Sequence, residues 1–360
     1  MKVILILAST LGKDGTSQFI TYFVNYFTKQ SGYKIVLLFL RDVDAAFLSK
    51  IDNGAEVITL SAKGPLIGVF FRLIKNIFKI KPDYCLLGFT QLVYLGYLAP
   101  LLHLIKAKIL LRDTIIPSLF HKNDGLCRRL FVKYAYKQFD SIIAQSLDMA
   151  YDLTNNWGVK SNKIKVINNP IDIKKYQNFA KYCPEELENK KVFTFVAAGR
   201  ITEQKGYDII IERFSQLEKI NCKLLIIGTG ELEEYIYELI QKNNLNENIS
   251  LIGYRTNVAE YLKYCDALLL CSRYEGFPNI VLEANSLGKP VFTNNCKGGI
   301  NEIIIEGKNG ISCNFYNQDE FETNLLKFIN INFDSKEIIK LTEERYDINI
   351  IMNKYKLFLC

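Results

Sequence analysis

One stretch constrains the architecture of this chain more than any other. Ala267 to Pro290 reads ALLLCSRYEGFPNIVLEANSLGKP. Ala267–Ser272 is an apolar run without alternation, the pattern of a parallel strand buried on both faces. Gly276 and Pro278 break it. Ile280, Val281, Ala284 and Leu287 then recur at helical spacing, and Gly288 followed by Pro290 stops the helix. A strand, a tight turn and a helix in that order belong to a parallel α/β sheet, where ligands bind at the carboxyl ends of the strands. The turn carries Glu275. The helix carries Glu283, four residues after Asn279, so these two share a face. The N–H groups of Asn279, Ile280 and Val281 make a place for an anion. Taken singly, Glu283 could merely complement the helix dipole, and Glu275 could be a solvated loop acid.

The same alternation runs along the whole chain. Val3–Ala8, Lys34–Leu40, Glu56–Leu60, Asp83–Gly88, Lys108–Arg112, Ser141–Ala144 and Lys165–Asn168 read as strands. Ser17–Gln30, Leu66–Ile80 and Gln91–Ile105 read as helices between them. The loop Ser9–Thr16 holds Gly12 and Gly15. It serves either a plain strand-to-helix turn or a contact of Gly15 and Thr16 with a phosphate or an acceptor. Arg112 and Asp113 end their strand at the edge where ligands sit. Asp172–Lys191 is polar, contains Pro184, and reads as a linker. Strands resume at Val192–Ala197, Lys223–Ile227, Ile249–Gly253 and Pro290–Thr293, and the segment from about Asp319 is helical. The expected fold class is α/β in two domains, residues 1–171 and 192–345, joined by 172–191. A length of 360 residues suits that count.

Composition narrows the setting. With 49% hydrophobic and 23% charged residues the chain can bury full cores. Its nine cysteines are scattered and include no CxxC pair, which predicts reduced thiols in a cytoplasmic protein rather than zinc or a disulfide frame. MKVILILAS is too short an apolar run for a signal peptide and reads as a first strand. Leu92–Ile105, interrupted by Pro100 and His103, is too short to span a bilayer. Residues 1–170 carry 22 Lys and Arg against 11 Asp and Glu, whereas residues 171–360 carry 23 against 27. A basic first half suits an anionic partner, and without a nucleic-acid motif a membrane surface ranks above nucleic acid. Leu66–Ile80 places Arg72, Lys75, Asn76 and Lys79 on one narrow stripe within an otherwise apolar helix. That pattern fits a membrane-surface helix, or a crossover helix packed on a sheet. Arg128, Arg129, Lys133 and Lys137 form a basic helical cluster that reads as a solvated face.

Two glutamates eight positions apart around Gly-Phe-Pro-Asn resemble the E-x7-E signature of retaining nucleotide-sugar glycosyltransferases of family 4. Other segments resemble the same family. Gly199-Arg200 and Lys205-Gly206 are similar to its Gly-Arg…Lys-Gly loop, and Gly298-Gly299-Ile300-Asn301-Glu302 to its Gly-Gly-x-x-Glu element. Asn169-Pro170-Ile171-Asp172 resembles its domain crossover. Gly228-Thr229-Gly230 alone is a weak dinucleotide signal. The match is dense from Lys191 to Ser312 and thin over residues 1–170, where Arg112-Asp113 stands in place of the histidine of many relatives.

The resemblance implies a GT-B arrangement, two Rossmann-like domains facing across a cleft, with a terminal helix (346–360) packed on the first. It implies transfer of a hexose or N-acetylhexosamine from a nucleoside diphosphate sugar, expected to be UDP-linked, with retention at the anomeric carbon. Arg200 and Lys205 would hold the diphosphate, since two fixed cations stabilise the charge developing on the leaving group. Glu283 would bind the ribose and Glu275 the sugar. The backbone of Phe277, Pro278, Asn279, Ile280 and Val281, after Gly276, would position the sugar and β-phosphate, and Gly253, Tyr254 and Arg255 would meet the base. No cofactor and no metal are expected, the Asp42-Val43-Asp44 run reading as solvated. The expected acceptor is an undecaprenyl-pyrophosphate-linked or other oligosaccharide at the inner face of the cytoplasmic membrane, in O-antigen or capsule assembly. Two rivals share this architecture: a non-catalytic partner subunit and a nucleotide-sugar epimerase.

Overall fold

The protein was analysed as a computed structural model that describes residues 1–12, 14–60, 66–217 and 222–359, with the backbone alone for 66–68. The chain forms two compact units. One comprises Met1–Pro170 with Met352–Cys360, the other Ile171–Ile351.

The first unit is built on β1 (Lys2–Ala8), β2 (Tyr33–Phe39), β3 (Glu56–Thr59), β4 (Tyr84–Leu87), β5 (Lys108–Arg112), β6 (Ser141–Ala144) and β7 (Ile164–Val166). They form one sheet in the order β3-β2-β1-β4-β5-β6-β7, parallel throughout, with Ile4 registered against Ile35 and Tyr84. The uninterrupted apolar run of β1 follows from this central place, which buries both faces of the strand. Right-handed crossovers send the Gly15–Phe27 helix to one face of the sheet. Because the order reverses after β3, they send the Leu66–Ile80, Leu126–Gln138 and Leu147–Asn155 helices to the other. Leu73, Leu92, Val132 and Leu153 accordingly share one buried cluster. On the opposite face, Phe19 and Phe23 meet Tyr355 of the last helix (Ile348–Leu359), with ring centroids 5.3 and 5.5 Å away. The Lys2 ammonium donates to the Leu359 carbonyl.

The second unit repeats the pattern with β8 (Phe193–Ala198), β9 (Cys222–Ile227), β10 (Ile249–Leu251), β11 (Ala267–Leu270), β12 (Val291–Asn294) and β13 (Gly310–Cys313). Their order, β10-β9-β8-β11-β12-β13, is the doubly wound order of dinucleotide-binding sheets. The reversal falls between β8 and β11, where the connections leave to opposite faces and open a crevice at the carboxyl ends.

Two expectations need correction. Residues 91–105 are not one helix. A 3₁₀ helix (Thr90–Leu98) gives way to an α-helix (Ala99–Leu104) that has Pro100 in its first turn, where a missing N–H costs nothing. Residues 172–191 are not an open linker either. They form helices over Ile173–Phe179 and Glu185–Glu188 that bury Ile173, Tyr176, Ala180 and Leu187 in the second unit. The polar residues there are the outer faces of short amphipathic helices.

Candidate active site

The site in the second unit grows from the β8–β11 reversal. After β8 the chain passes Gly199 and Arg200 and makes a 3₁₀ turn, Glu203–Lys205. After β11 it passes Ser272 and Glu275 and enters the Asn279–Ser286 helix. The two loops are bound together. Arg273 N–H donates to the Gln204 carbonyl at 2.8 Å, and Gln204 Nε2 to the Tyr274 carbonyl at 3.0 Å. The Arg273 guanidinium grips Asp208 with two hydrogen bonds, of 2.9 and 2.6 Å. Burial works against the Asp208 charge, but these bonds outweigh it and hold its carboxyl below the usual range. Gly206 makes the approach possible. Its φ is +67°, and a Cβ there would stand 2.3 Å from the Cys271 carbonyl oxygen.

Held this way, Lys205 Nζ lies 2.7 Å from Glu275 Oε1, and Ser272 Oγ donates to the same oxygen at 2.6 Å. Glu275 is buried and Lys205 partly exposed. Arg200 is exposed, and its side chain makes no hydrogen bond or ion pair among the described residues. The Asn279–Ser286 helix begins at Pro278 with no side-chain cap. Its first turn offers backbone donors and the positive end of the helix dipole. The arrangement thus combines one fixed cation, one free cation and an uncapped helix start at a sheet reversal, which is chemistry suited to a phosphate ester. Gly298 closes the loop from the far side. Its φ is +124°, and a Cβ would come within 2.2 Å of the Glu275 carbonyl oxygen.

Glu283, one turn into the helix, takes a different partner from Glu275. Tyr176 donates its hydroxyl to Glu283 Oε1 at 2.8 Å. Burial raises the Glu283 carboxyl above its usual range, and the Tyr176 bond partly offsets this. Phe277 is buried and packs edge-on against Tyr346, with ring centroids 5.6 Å apart. Gly253 turns with φ +69°, and Tyr254 is exposed. Arg255 is committed elsewhere. Its Nε donates to Tyr261 at 2.8 Å and it pairs with Glu186 at 3.0 Å, which raises its guanidinium above the ordinary value.

The candidate residues of the first unit behave differently. Arg112 and Asp113 stand at the carboxyl end of β5, where the sequence reading put them, and both are fully buried. Arg112 lies over the Phe19 ring, 3.7 Å from its centroid, and donates to Asn169 Oδ1. Asp113 accepts from Thr90 at 2.6 Å and Tyr136 at 2.8 Å, and burial pushes its carboxyl up to about 6. Gly15 and Thr16 open their helix as expected, but Asp14 occupies the anion position. Its carboxylate accepts from Thr16 N–H and Ser17 N–H at 2.9 and 3.0 Å, so this helix start is capped by the chain's own side chain.

Sequence reasoning missed Tyr176, Ser272 and the Arg273–Asp208 clamp. Ile173, Tyr176 and Ala180 share a helical face, a signal hidden by the polar residues between them. Ser272 and Arg273 lie within the stretch already singled out, but only their cross-loop partners give them roles.

Known families match both halves of the chain. The family model described as Glycosyltransferase Family 4 matches residues 13–175, and that described as Glycosyl transferases group 1 matches residues 178–345. An uncharacterized glycosyltransferase of Methanocaldococcus jannaschii is 32% identical over 68% of this chain and 64% of its own length. A Campylobacter jejuni enzyme is 26% identical over 57% of this chain and 56% of its own; it is the N-acetylgalactosamine-N,N'-diacetylbacillosaminyl-diphospho-undecaprenol 4-alpha-N-acetylgalactosaminyltransferase. The aligned part thus spans less than two thirds of either relative. Among solved structures, Anabaena HepE in complex with UDP superposes with a TM-score of 0.79 at 18% identity, covering 100% of this chain and 99% of that one. The lipopolysaccharide outer core galactosyltransferase WaaB in its apo form gives 0.77 at 21% identity, covering 99% and 98%. Both halves of the sequence and the whole of the fold agree: the chain belongs to the family 4 (group 1) glycosyltransferases and has the GT-B fold.

Proposed function

We propose that the protein transfers a hexose or N-acetylhexosamine from a UDP-sugar to a lipid-linked or other oligosaccharide acceptor in surface polysaccharide assembly, with retention of configuration. The observation that carries this reading is the Lys205–Glu275 pair beside the uncapped Asn279–Ser286 helix. Lys205, joined by Arg200, neutralises the diphosphate. Glu275, held by Lys205 and Ser272, keeps its second oxygen for a sugar hydroxyl. Glu283 accepts from the ribose, and Gly253 and Tyr254 meet the base. In the reaction the bond from the anomeric carbon to the β-phosphate oxygen breaks, and a bond to the acceptor oxygen forms on the same face. The acceptor proton passes to the departing phosphate oxygen. Preorganised cations supply most of the stabilisation, because they face charge that grows in the transition state.

UDP as the donor's nucleotide is supported by the UDP complex of HepE, and a lipid-diphosphate acceptor by the name of the Campylobacter relative. The Leu66–Ile80 helix supports work at a membrane surface. It buries Leu73 and Ile77 but exposes Phe70, Phe71 and Phe78 next to Lys75 and Lys79. No helix among the described residues is long and apolar enough to cross a membrane.

A thermal-shift panel of nucleotides and nucleotide sugars, without added metal, tests the proposal. UDP and one UDP-sugar should raise the midpoint in a concentration-dependent way, and Arg200→Ala should abolish the rise. Stabilisation by NAD alone would contradict it.

A further inference from the structure

The Leu126–Gln138 helix of the first unit has two apolar faces. Val132, Ala135, Tyr136 and Phe139 follow the spacing i, i+3, i+4, i+7 and lie in the core. Cys127, Leu130, Phe131 and Tyr134 follow the same spacing on the other side and face solvent, Leu130 at 58% and Tyr134 at 56% exposure. One buried stripe is what a crossover helix needs, and the second is covered only in part, by Tyr94 and Tyr97 among the described residues. It is also ordered. Phe131 stacks on Tyr97 with centroids 4.3 Å apart, Tyr134 stacks on Tyr97 at 5.6 Å, and Tyr97 donates its hydroxyl to the Phe131 carbonyl at 3.0 Å.

We infer that this stripe is a second membrane contact, which seats the sheet face shared by the Leu66–Ile80 and Leu126–Gln138 helices on an anionic bilayer. Three observations choose the occupant. The helix carries Arg128, Arg129, Lys133 and Lys137 and no acidic residue. The Arg129 and Lys137 side chains make no hydrogen bond or ion pair among the described residues, so their charge is available to headgroups. The strand order places the helix on the same face as the exposed phenylalanines of Leu66–Ile80. A second copy of the chain would bring like charge against like charge. Aromatic rings edged by cations suit the bilayer interface, where apolar faces sink among acyl chains and cations meet phosphates. Arg128, Arg129 and Lys137 are exposed, as the sequence pattern implied, and on this inference they meet headgroups rather than water alone.

The inference rests on the proposed function only in taking a lipid surface as the workplace. Its test is flotation of the full chain with vesicles of equal phosphatidylglycerol and phosphatidylcholine, and with phosphatidylcholine alone, at low and high salt. The wild type should float with the anionic vesicles and less so in high salt. Leu130→Glu with Phe131→Glu, and separately Arg129→Glu with Lys137→Glu, should each weaken that binding by about tenfold or more. The milder pair Leu130→Gln with Phe131→Gln should show the same direction if the charged pair folds poorly. Wild-type flotation by both double-glutamate variants, or no flotation of the wild type, would overturn the inference. So would a fall in particle mass by light scattering, from dimer to monomer, in the Leu130 and Phe131 variants. Stabilisation by UDP without vesicles is measured on the same proteins. Its absence from the wild type counts against the proposed function instead.

Discussion

Lys205 Nζ and Glu275 Oε1 stand 2.7 Å apart across two loops that are seventy residues distant in sequence. The contact makes each residue the other's positioning device. Lys205 keeps the carboxylate from swinging toward solvent, and Glu275 aims the ammonium beside the helix start.

If Glu275 meets the sugar while Lys205 meets the phosphate, the two functions separate on mutation. Glu275→Gln leaves Lys205 with a neutral partner and should change UDP affinity by less than about threefold. Turnover of a UDP-sugar should fall about a hundredfold. Titration calorimetry and a UDP-release assay on the same preparation check both halves.

Asp113 makes stability depend on pH in an unusual direction. Its carboxyl rises from 3.8 to about 6 on burial, so between those values the folded protein holds a proton that the unfolded chain releases. Its contribution is complete below about pH 4 and is lost as pH rises through 6, a change of the order of 3 kcal/mol. Asp113→Asn should therefore gain on the wild type as pH climbs from 4 to 6.5. Urea midpoints across that window check it, and parallel curves would sink the assignment.

Tyr176 and Glu283 form a second separable pair. Glu283→Gln should weaken UDP binding by about tenfold, and Tyr176→Phe by less at neutral pH. Without its donor the Glu283 carboxyl rises further, so Tyr176→Phe should lose UDP affinity earlier than the wild type on acidification. Affinity measured at several pH values between about 5 and 8 tests this.

Gly298→Ala tests the loop geometry. A Cβ at φ +124° and 2.2 Å from the Glu275 carbonyl oxygen cannot be accommodated without moving that backbone. The variant should lose about 2 kcal/mol or more of stability and should bind UDP poorly when folded. Gly307→Ala, also at positive φ (+74°) but with open space around its Cβ, should bind UDP normally.

Much of this could be read from sequence because parallel sheets write themselves locally. β1 and β11 are buried on both faces and appear as unbroken apolar runs, and Gly288 with Pro290 marks the end of the Asn279–Ser286 helix. The rest depends on partners distant in sequence. Arg112 looks like an exposed edge cation until Phe19 and Asn169 close over it. Gly15 and Thr16 look like an anion cradle until Asp14 is seen to turn back onto them. The 172–191 segment reads as a linker because two short helices do not supply enough turns to show a period. In the Leu126–Gln138 helix the arginines and lysines masked two apolar stripes, which only burial tells apart.

The central claim is that Lys205 holds a diphosphate, and comparing UDP with uridine tests it most directly. Calorimetric titration of both ligands into the wild type and Lys205→Ala isolates the phosphate contribution. The wild type should prefer UDP by a hundredfold or more, about 3 kcal/mol, and Lys205→Ala should lose most of that preference while still binding uridine. An unchanged UDP-to-uridine ratio in Lys205→Ala would contradict the account.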